Sequence, residues 1–150
     1  MTPPGRNPTA RRLSLRPTSF LCLAALAAAC ATAADVTEGD LNVTLRDGVI
    51  ELSTTSVAPG EVTLVGLNQG TMTHELELYL VPNGVDANAL PMDGNVARAD
   101  DNMDLIDEVE DVAPGTFGER TVTLEPGQYA VIYNLPGHYA SGMHATFTVA

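Results

Sequence analysis

The chain is predicted to be an all-β protein built as an antiparallel β-sandwich, and three observations carry that expectation. From Leu41 onward the sequence falls into short runs of alternating apolar and polar residues, the period of a strand with one buried and one wet face. Gly, Pro, Asn and Asp break these runs at short intervals. No stretch of the same region shows a convincing amphipathic helical pattern. A sheet with one apolar face and no helix to cover it buries that face against a second sheet.

Residues 41–45 (LNVTL) alternate, and the turn 46–48 (RDG) returns the chain into 49–53 (VIELS). The turn 58–60 (APG) opens 61–67 (EVTLVGL), and 68–70 (NQG) leads into 72–80 (MTHELELYL). After a long break come 119–124 (ERTVTL), the turn 125–127 (EPG), 129–133 (YAVIY) and 145–149 (ATFTV). These are seven short strands, with Tyr129, Val131, Phe147 and Val149 expected in the core.

The break is an acidic crossover over residues 82–118. Nine carboxylates lie between Asp86 and Asp111, against the single Arg98. So long a connection in a compact domain usually serves a function. Its carboxylates lack the D-x-D-x-D-G spacing of a calcium loop. It is expected to wrap the outside of the sandwich as a solvated segment, with 102–110 forming a short helix or an irregular strand.

Residues 1–34 read as an export signal. Arg6, Arg11, Arg12 and Arg16 precede an apolar run at 19–29 (SFLCLAALAAA), and 31–33 (ATA) has the form of a cleavage site. Alternatively 27–30 (AAAC) is a lipobox, which would make Cys30 a lipidated terminus and tether the domain to a membrane. The pair Arg11-Arg12 partly resembles a twin-arginine signal. Either route implies a periplasmic or extracellular domain over 35–150. Both cysteines, Cys22 and Cys30, belong to the leader, so the domain has no disulfide, no thiolate ligand and no cysteine nucleophile.

All nineteen acidic residues lie from Asp35 onward, where only Arg46, Arg98 and Arg120 oppose them, a net charge of −16 with no lysine. Such a surface repels nucleic acid and anionic membrane and favours cationic partners or metal ions. A solubility or salt adaptation explains it equally well.

Strand parity selects the candidate site. In 129–133, Tyr133 shares the inward face of Tyr129 and Val131. His74 shares parity with Met72, Leu76 and Leu78, while Glu75 and Glu77 take the wet face. A lone inward histidine is most often a hydrogen-bonded core residue. His74 becomes a candidate metal ligand through its conjunction with His138 and Met143, which lie five positions apart on a Pro/Gly-shaped loop between two strands. His144 shares the face of Thr146 and Thr148 and points away from that site.

The segment 129–149 resembles the C-terminal ligand loop of the cupredoxins, the small blue copper proteins of the plastocyanin and azurin class, in its C-x4-H-x4-M form. Pro136, Gly137, His138, Gly142 and Met143 all fall in place, and 73–76 (THEL) resembles the first-ligand strand of the exported bacterial members. The resemblance covers most of 35–150 in strand order. It implies a Greek-key sandwich of seven to eight strands and one copper ion, held by the imidazoles of His74 and His138 with Met143 as the weak axial ligand. The family's cysteine position is Tyr133, so the thiolate is missing, and a copper site here would be nearly colourless and slow in electron transfer. Tyr133 either replaces the thiolate as a phenolate, whose pKa must fall from ~10, or fills the vacated space as a phenol.

Two functions stay open. One is an exported copper-binding protein in copper handling or atypical electron transfer, with a redox or copper-trafficking protein as partner. The other is a metal-free interaction domain that uses the acidic crossover as its contact surface. No enzyme is expected, because no nucleophile–base pair is readable and known copper oxidases use more histidines.

Overall fold

The computed structural model describes residues 39–150. The expected export signal at 1–34 and the lipidation candidate Cys30 lie outside the described residues. The elements are β1 (Leu41–Arg46), β2 (Val49–Leu52), β3 (Ser56–Val57), β4 (Gly60–Asn68), β5 (His74–Val81), β6 (Met92–Asp93), β7 (Val96–Ala97), α1 (Ala99–Asn102), β8 (Asp104–Val112), β9 (Phe117–Leu124), β10 (Gly127–Ile132), α2 (His138–Ser141) and β11 (His144–Val149). One sheet runs β2-β1-β4-β9, the other β3-β11-β10-β5-β8, and β6 and β7 form a separate hairpin. The fold is the expected all-β sandwich.

The inner core follows the parity read from the sequence. Tyr129, Val131, Phe147 and Val149 are all buried, and they meet Leu41, Val43 and Leu64 from the opposite sheet. Tyr129 and Phe147 pair directly across β10 and β11, their rings stacked with centroids 5.5 Å apart. Burying each such side chain contributes ~1.5–3 kcal/mol. A one-residue slip of β10 would exchange the whole inward set for the outward one, so packing specifies this register strongly.

The structure corrects three expectations. The sandwich is not wholly antiparallel: β1 pairs with β4 and β11 with β3 in parallel. The chain leaves β2, adds β3 to the edge of the other sheet and returns, so β4 enters beside β1 in the same direction. Met72, placed inward by parity, is 51% exposed, because β5 begins only at His74. The Asn68 amide donates to the Met72 carbonyl at 2.7 Å, which holds that segment out of the strand.

The third correction concerns the crossover, which is solvated only in part. Residues 104–112 form β8, an edge strand paired antiparallel with β5. Upstream of it, Ala87, Leu90, Ala97, Ala99 and Met103 are buried against Tyr79, Ala130, Ile132 and Tyr139, making a second small core on the outer face of the five-stranded sheet. The carboxylates between them face water while the small apolar residues cover the sheet. That explains why Ala130 and Ile132, at the outward positions of β10, are as buried as their inward neighbours.

Candidate metal centre

The loop between β10 and β11 closes on itself at the end of the sandwich. The Tyr133 N–H donates to the Met143 carbonyl at 3.0 Å, and the Met143 N–H donates to the His138 carbonyl at 3.1 Å. Between them α2 is a single helical turn, flanked by Gly137 at φ 88° and Gly142 at φ 112°. Both glycines occupy the left-handed region that other residues rarely adopt. At Gly142 a Cβ would also press the Gly48 carbonyl oxygen at 3.1 Å.

The crossover fastens this loop from outside. Asn134 donates to the Ala97 carbonyl at 3.0 Å and accepts from the Ala97 N–H at 2.9 Å. The Gly137 N–H donates to the Asn95 carbonyl at 2.7 Å. The Tyr139 hydroxyl accepts from the Leu90 N–H at 3.0 Å and donates to the Ala87 carbonyl at 2.9 Å. His144 stacks on the Tyr139 ring and contacts Asn88, on the outer side as its parity implied.

Of the four residues singled out from the sequence, the structure brings the rings of His74, Tyr133 and His138 together, and it buries Met143 in the same core cluster as Tyr133. His74 is 1% exposed, Met143 is fully buried and Tyr133 is 4% exposed, while His138 is half-buried. The His74 ring stands edge-on to Tyr133 and His138, with centroids 5.2 and 6.1 Å away. A metal bound at an imidazole nitrogen lies roughly 3 Å from the ring centroid, so 6.1 Å is within reach of two imidazoles sharing one ion. His74 Nε2 lies 3.1 Å from the Asp47 carboxylate, but its Nδ1 is buried with no hydrogen-bond partner. A buried polar nitrogen left unpaired is costly and uncommon. A soft cation accepting that lone pair would satisfy it, and Met143 supplies a thioether suited to the same cation. By these criteria the residues present fit copper. Among the described residues no three of His, Cys, Asp and Glu converge as a metal-binding group. A metal held here would therefore depend on two imidazoles and a thioether.

Tyr133 lies with its ring centroid 4.1 Å from that of His138. Its hydroxyl donates to the Thr73 carbonyl at 3.4 Å. Burial, and after it the Glu75 carboxylate, push its pKa above the ordinary phenol value. Both effects hold it as a phenol. Beside the site, Glu75 is raised by burial and by Glu108, Glu110 and Asp111, with His138 acting against them. These acids crowd Glu75 because the β5–β8 register shifts between His74 and Leu76. Asp111 there adopts φ 53°, the one positive φ of a non-glycine among the described residues.

Sequence reasoning missed three contributors. Asp47 read as a turn residue of the Arg-Asp-Gly type, and nothing local ties it to a histidine 27 positions later. Hydrogen bonds from Thr71, more than from His74, hold its carboxyl below the usual range. Asn134 and Tyr139 adjoin candidate ligands, and polar residues beside a ligand are the natural places to look for supporting hydrogen bonds.

No protein-family model matches the sequence, and no curated protein matches it. Among solved structures, the chain is similar to the dithionite-reduced auracyanin of Roseiflexus castenholzii, with 24% identity and a TM-score of 0.52 over 73% of this chain and 94% of that one. Rusticyanin from Thiobacillus ferrooxidans matches with 16% identity and a TM-score of 0.48 over 73% and 76%. Auracyanin A, a "blue" copper protein from Chloroflexus aurantiacus, matches with 22% identity and a TM-score of 0.46 over 73% and 99%. The likeness to the Roseiflexus auracyanin shows a shared fold, the cupredoxin-like sandwich.

Proposed function

We propose that this chain is an exported, non-enzymatic copper-binding protein of the cupredoxin type. His74, His138 and Met143 hold one copper ion, and Tyr133 stands where that type has its cysteine. Bound copper would supply one-electron chemistry and an affinity for a soft donor set. The chain's own residues bury one imidazole, leave the other at the surface, and exclude water from the thioether. The observation that carries the reading is the unpartnered Nδ1 of His74, buried beside the His138 ring. Without a thiolate the centre suits copper carriage or slow electron exchange better than fast electron transfer. A redox or copper-trafficking protein is the fitting partner, and His138 is the half-exposed donor it would meet. The basic start and apolar run of residues 6–29 support the exported location, with membrane attachment only through a lipid at Cys30.

One observation favours a second reading, a metal-free interaction domain: the Tyr133 ring packs beside His138 and occupies part of the space between the donors. Titration of the metal-free domain with Cu(I) and with Cu(II), following stoichiometry and visible absorption, separates the two. The copper reading expects one ion per chain without an intense blue band, and loss of that ion in His138→Ala. Equal, negligible binding by wild type and variant would establish the metal-free domain instead.

A further inference from the structure

His74 is held from behind by an arrangement that the copper donors themselves do not require. Asp47, in the turn between β1 and β2, accepts from His74 Nε2 at 3.1 Å. The same carboxylate accepts from the Thr71 N–H at 3.0 and 3.1 Å and from the Thr71 hydroxyl at 2.6 Å. Gly70 covers this contact: a Cβ there would collide with Asp47 Oδ1 and stand 2.7 Å from His74 Nε2. Segment 70–72 is fixed in turn by the fully buried Asn68, whose side chain accepts from the Gly70 N–H and donates to the Met72 and Val112 carbonyls. Close backbone approach, a doubly anchored carboxylate and a buried amide all serve one histidine edge.

An ionised carboxylate only accepts hydrogen bonds, so the proton of His74 is on Nε2. A second proton on Nδ1 would be buried without a partner, so Nδ1 carries a lone pair. A carboxylate on the far nitrogen of a ligating imidazole orients the ring and strengthens it as a donor. Two neutral imidazoles and a thioether provide no negative charge of their own. We infer that Asp47 is a positioning residue for copper, fixing the His74 tautomer and supplying, one ring away from the ion, the negative charge that a thiolate would otherwise bring. The inference rests on the copper reading proposed above. Coulomb attraction doubles with the ion's charge, so Asp47 favours Cu(II) more than Cu(I).

The test compares wild type, Asp47→Asn and Asp47→Ala by chelator-competed titration with Cu(I) and with Cu(II), and by nitrogen NMR of His74 in the metal-free protein. Asn keeps an oxygen acceptor while losing the charge. It should preserve the Nε2–H tautomer yet weaken Cu(II) about ten- to a hundredfold, the usual scale for such supporting partners. Cu(I) should weaken about tenfold less, which raises the reduction potential by ~59 mV. Ala should show the same differential and also release the tautomer. Equal losses for both oxidation states in both variants would overturn the charge role. A mixed His74 tautomer in the wild type, or a tautomer unchanged in Asp47→Ala, would overturn the positioning role. If the wild type takes up no copper, the functional proposal falls together with the charge role, while the metal-free NMR still decides whether Asp47 positions the ring.

Discussion

Replacing Tyr133 by cysteine tests the site assignment directly. Tyr133 is 4% exposed, and its aromatic neighbours are His74 and His138, so a sulfur placed on its Cβ enters the space between the two imidazoles. Large-to-small changes of buried aromatics cost ~3–5 kcal/mol, and a cysteine, which keeps one heavy atom beyond Cβ, belongs near the lower end. The lost hydroxyl adds little, because its bond to the Thr73 carbonyl is long at 3.4 Å. Against a domain stability of ~5–15 kcal/mol the variant should fold. Copper at a hundred times its dissociation constant would return ~2.7 kcal/mol of the loss.

The assay is a Cu(II) titration read by visible absorption, with thermal unfolding before and after metal. Two histidines, a thiolate and a long axial thioether form a blue-copper donor set. Tyr133→Cys should therefore develop an intense blue band that the wild type lacks, and its unfolding temperature should rise with copper. Tyr133→Phe serves as control: it should bind copper as the wild type does if the phenol only fills space. A Tyr133→Cys variant that folds, binds one copper and stays colourless would refute the reasoning, since His74 and His138 would not then be placed around position 133 as donors.

Two further predictions follow from the outer face of the five-stranded sheet. The Tyr79 hydroxyl lies 2.9 Å from both Glu77 and Asp100, and a phenol has one proton to give, so both contacts are satisfied together only when one carboxyl is protonated. Burial foremost, with Glu75, Asp100 and Glu108 adding to it, pushes Glu77 from 4.5 up to about 7 against the Tyr79 hydrogen bond. The folded pKa is raised, so the contribution to stability is complete below pH 4.5 and is lost as pH rises through about 7. The wild type should lose about 1–2 kcal/mol across that window after discounting for partial exposure, and Glu77→Gln should flatten the profile; parallel unfolding curves for the two proteins from pH 4 to 8 would refute this. Asn134→Ala should cost ~1–3 kcal/mol by leaving the buried Ala97 N–H and carbonyl unpaired. It should also broaden the His138 NMR signals, and unchanged stability with unchanged signals would show that the crossover does not hold the loop.

The strands legible in the sequence are those with a clear pattern: residues 41–45 and 145–149 alternate, and 129–133 is a short apolar run buried on both faces. All three send the expected side chains into the inner core. The sequence of 102–110 indicates only a short helix or an irregular strand where β8 forms, for a physical reason. It is the edge of its sheet, five of its nine residues are acidic, and its buried Val109 and Val112 are three positions apart. The bulge opposite Glu75 breaks the period of two there. Charges and bulges are what edge strands use against unwanted pairing, so the same features that protect an edge erase its signature. The second core was illegible because it is made of scattered alanines, one leucine and one methionine among carboxylates, with no period at all. At the candidate site, parity and loop spacing pointed to His74, Tyr133, His138 and Met143, all at the end of the sandwich where the β10–β11 loop closes, whereas Asp47 and the Ala97 backbone are partners chosen by topology and carry no local mark.

The two kinds of support around the candidate site bear on what a tyrosine at position 133 would mean for the proposed copper centre. The ligand loop is fastened to the crossover through Asn134, Gly137 and Tyr139, and His74 is fastened to Asp47. All of these bonds join protein groups, so the fold itself fixes the His74 ring and the loop that carries His138 and Met143. A preorganised site does not spend binding energy on ordering its ligands. Weak copper binding by the wild type would then report the absent sulfur and the bulk of Tyr133, and not a loop that has lost its shape.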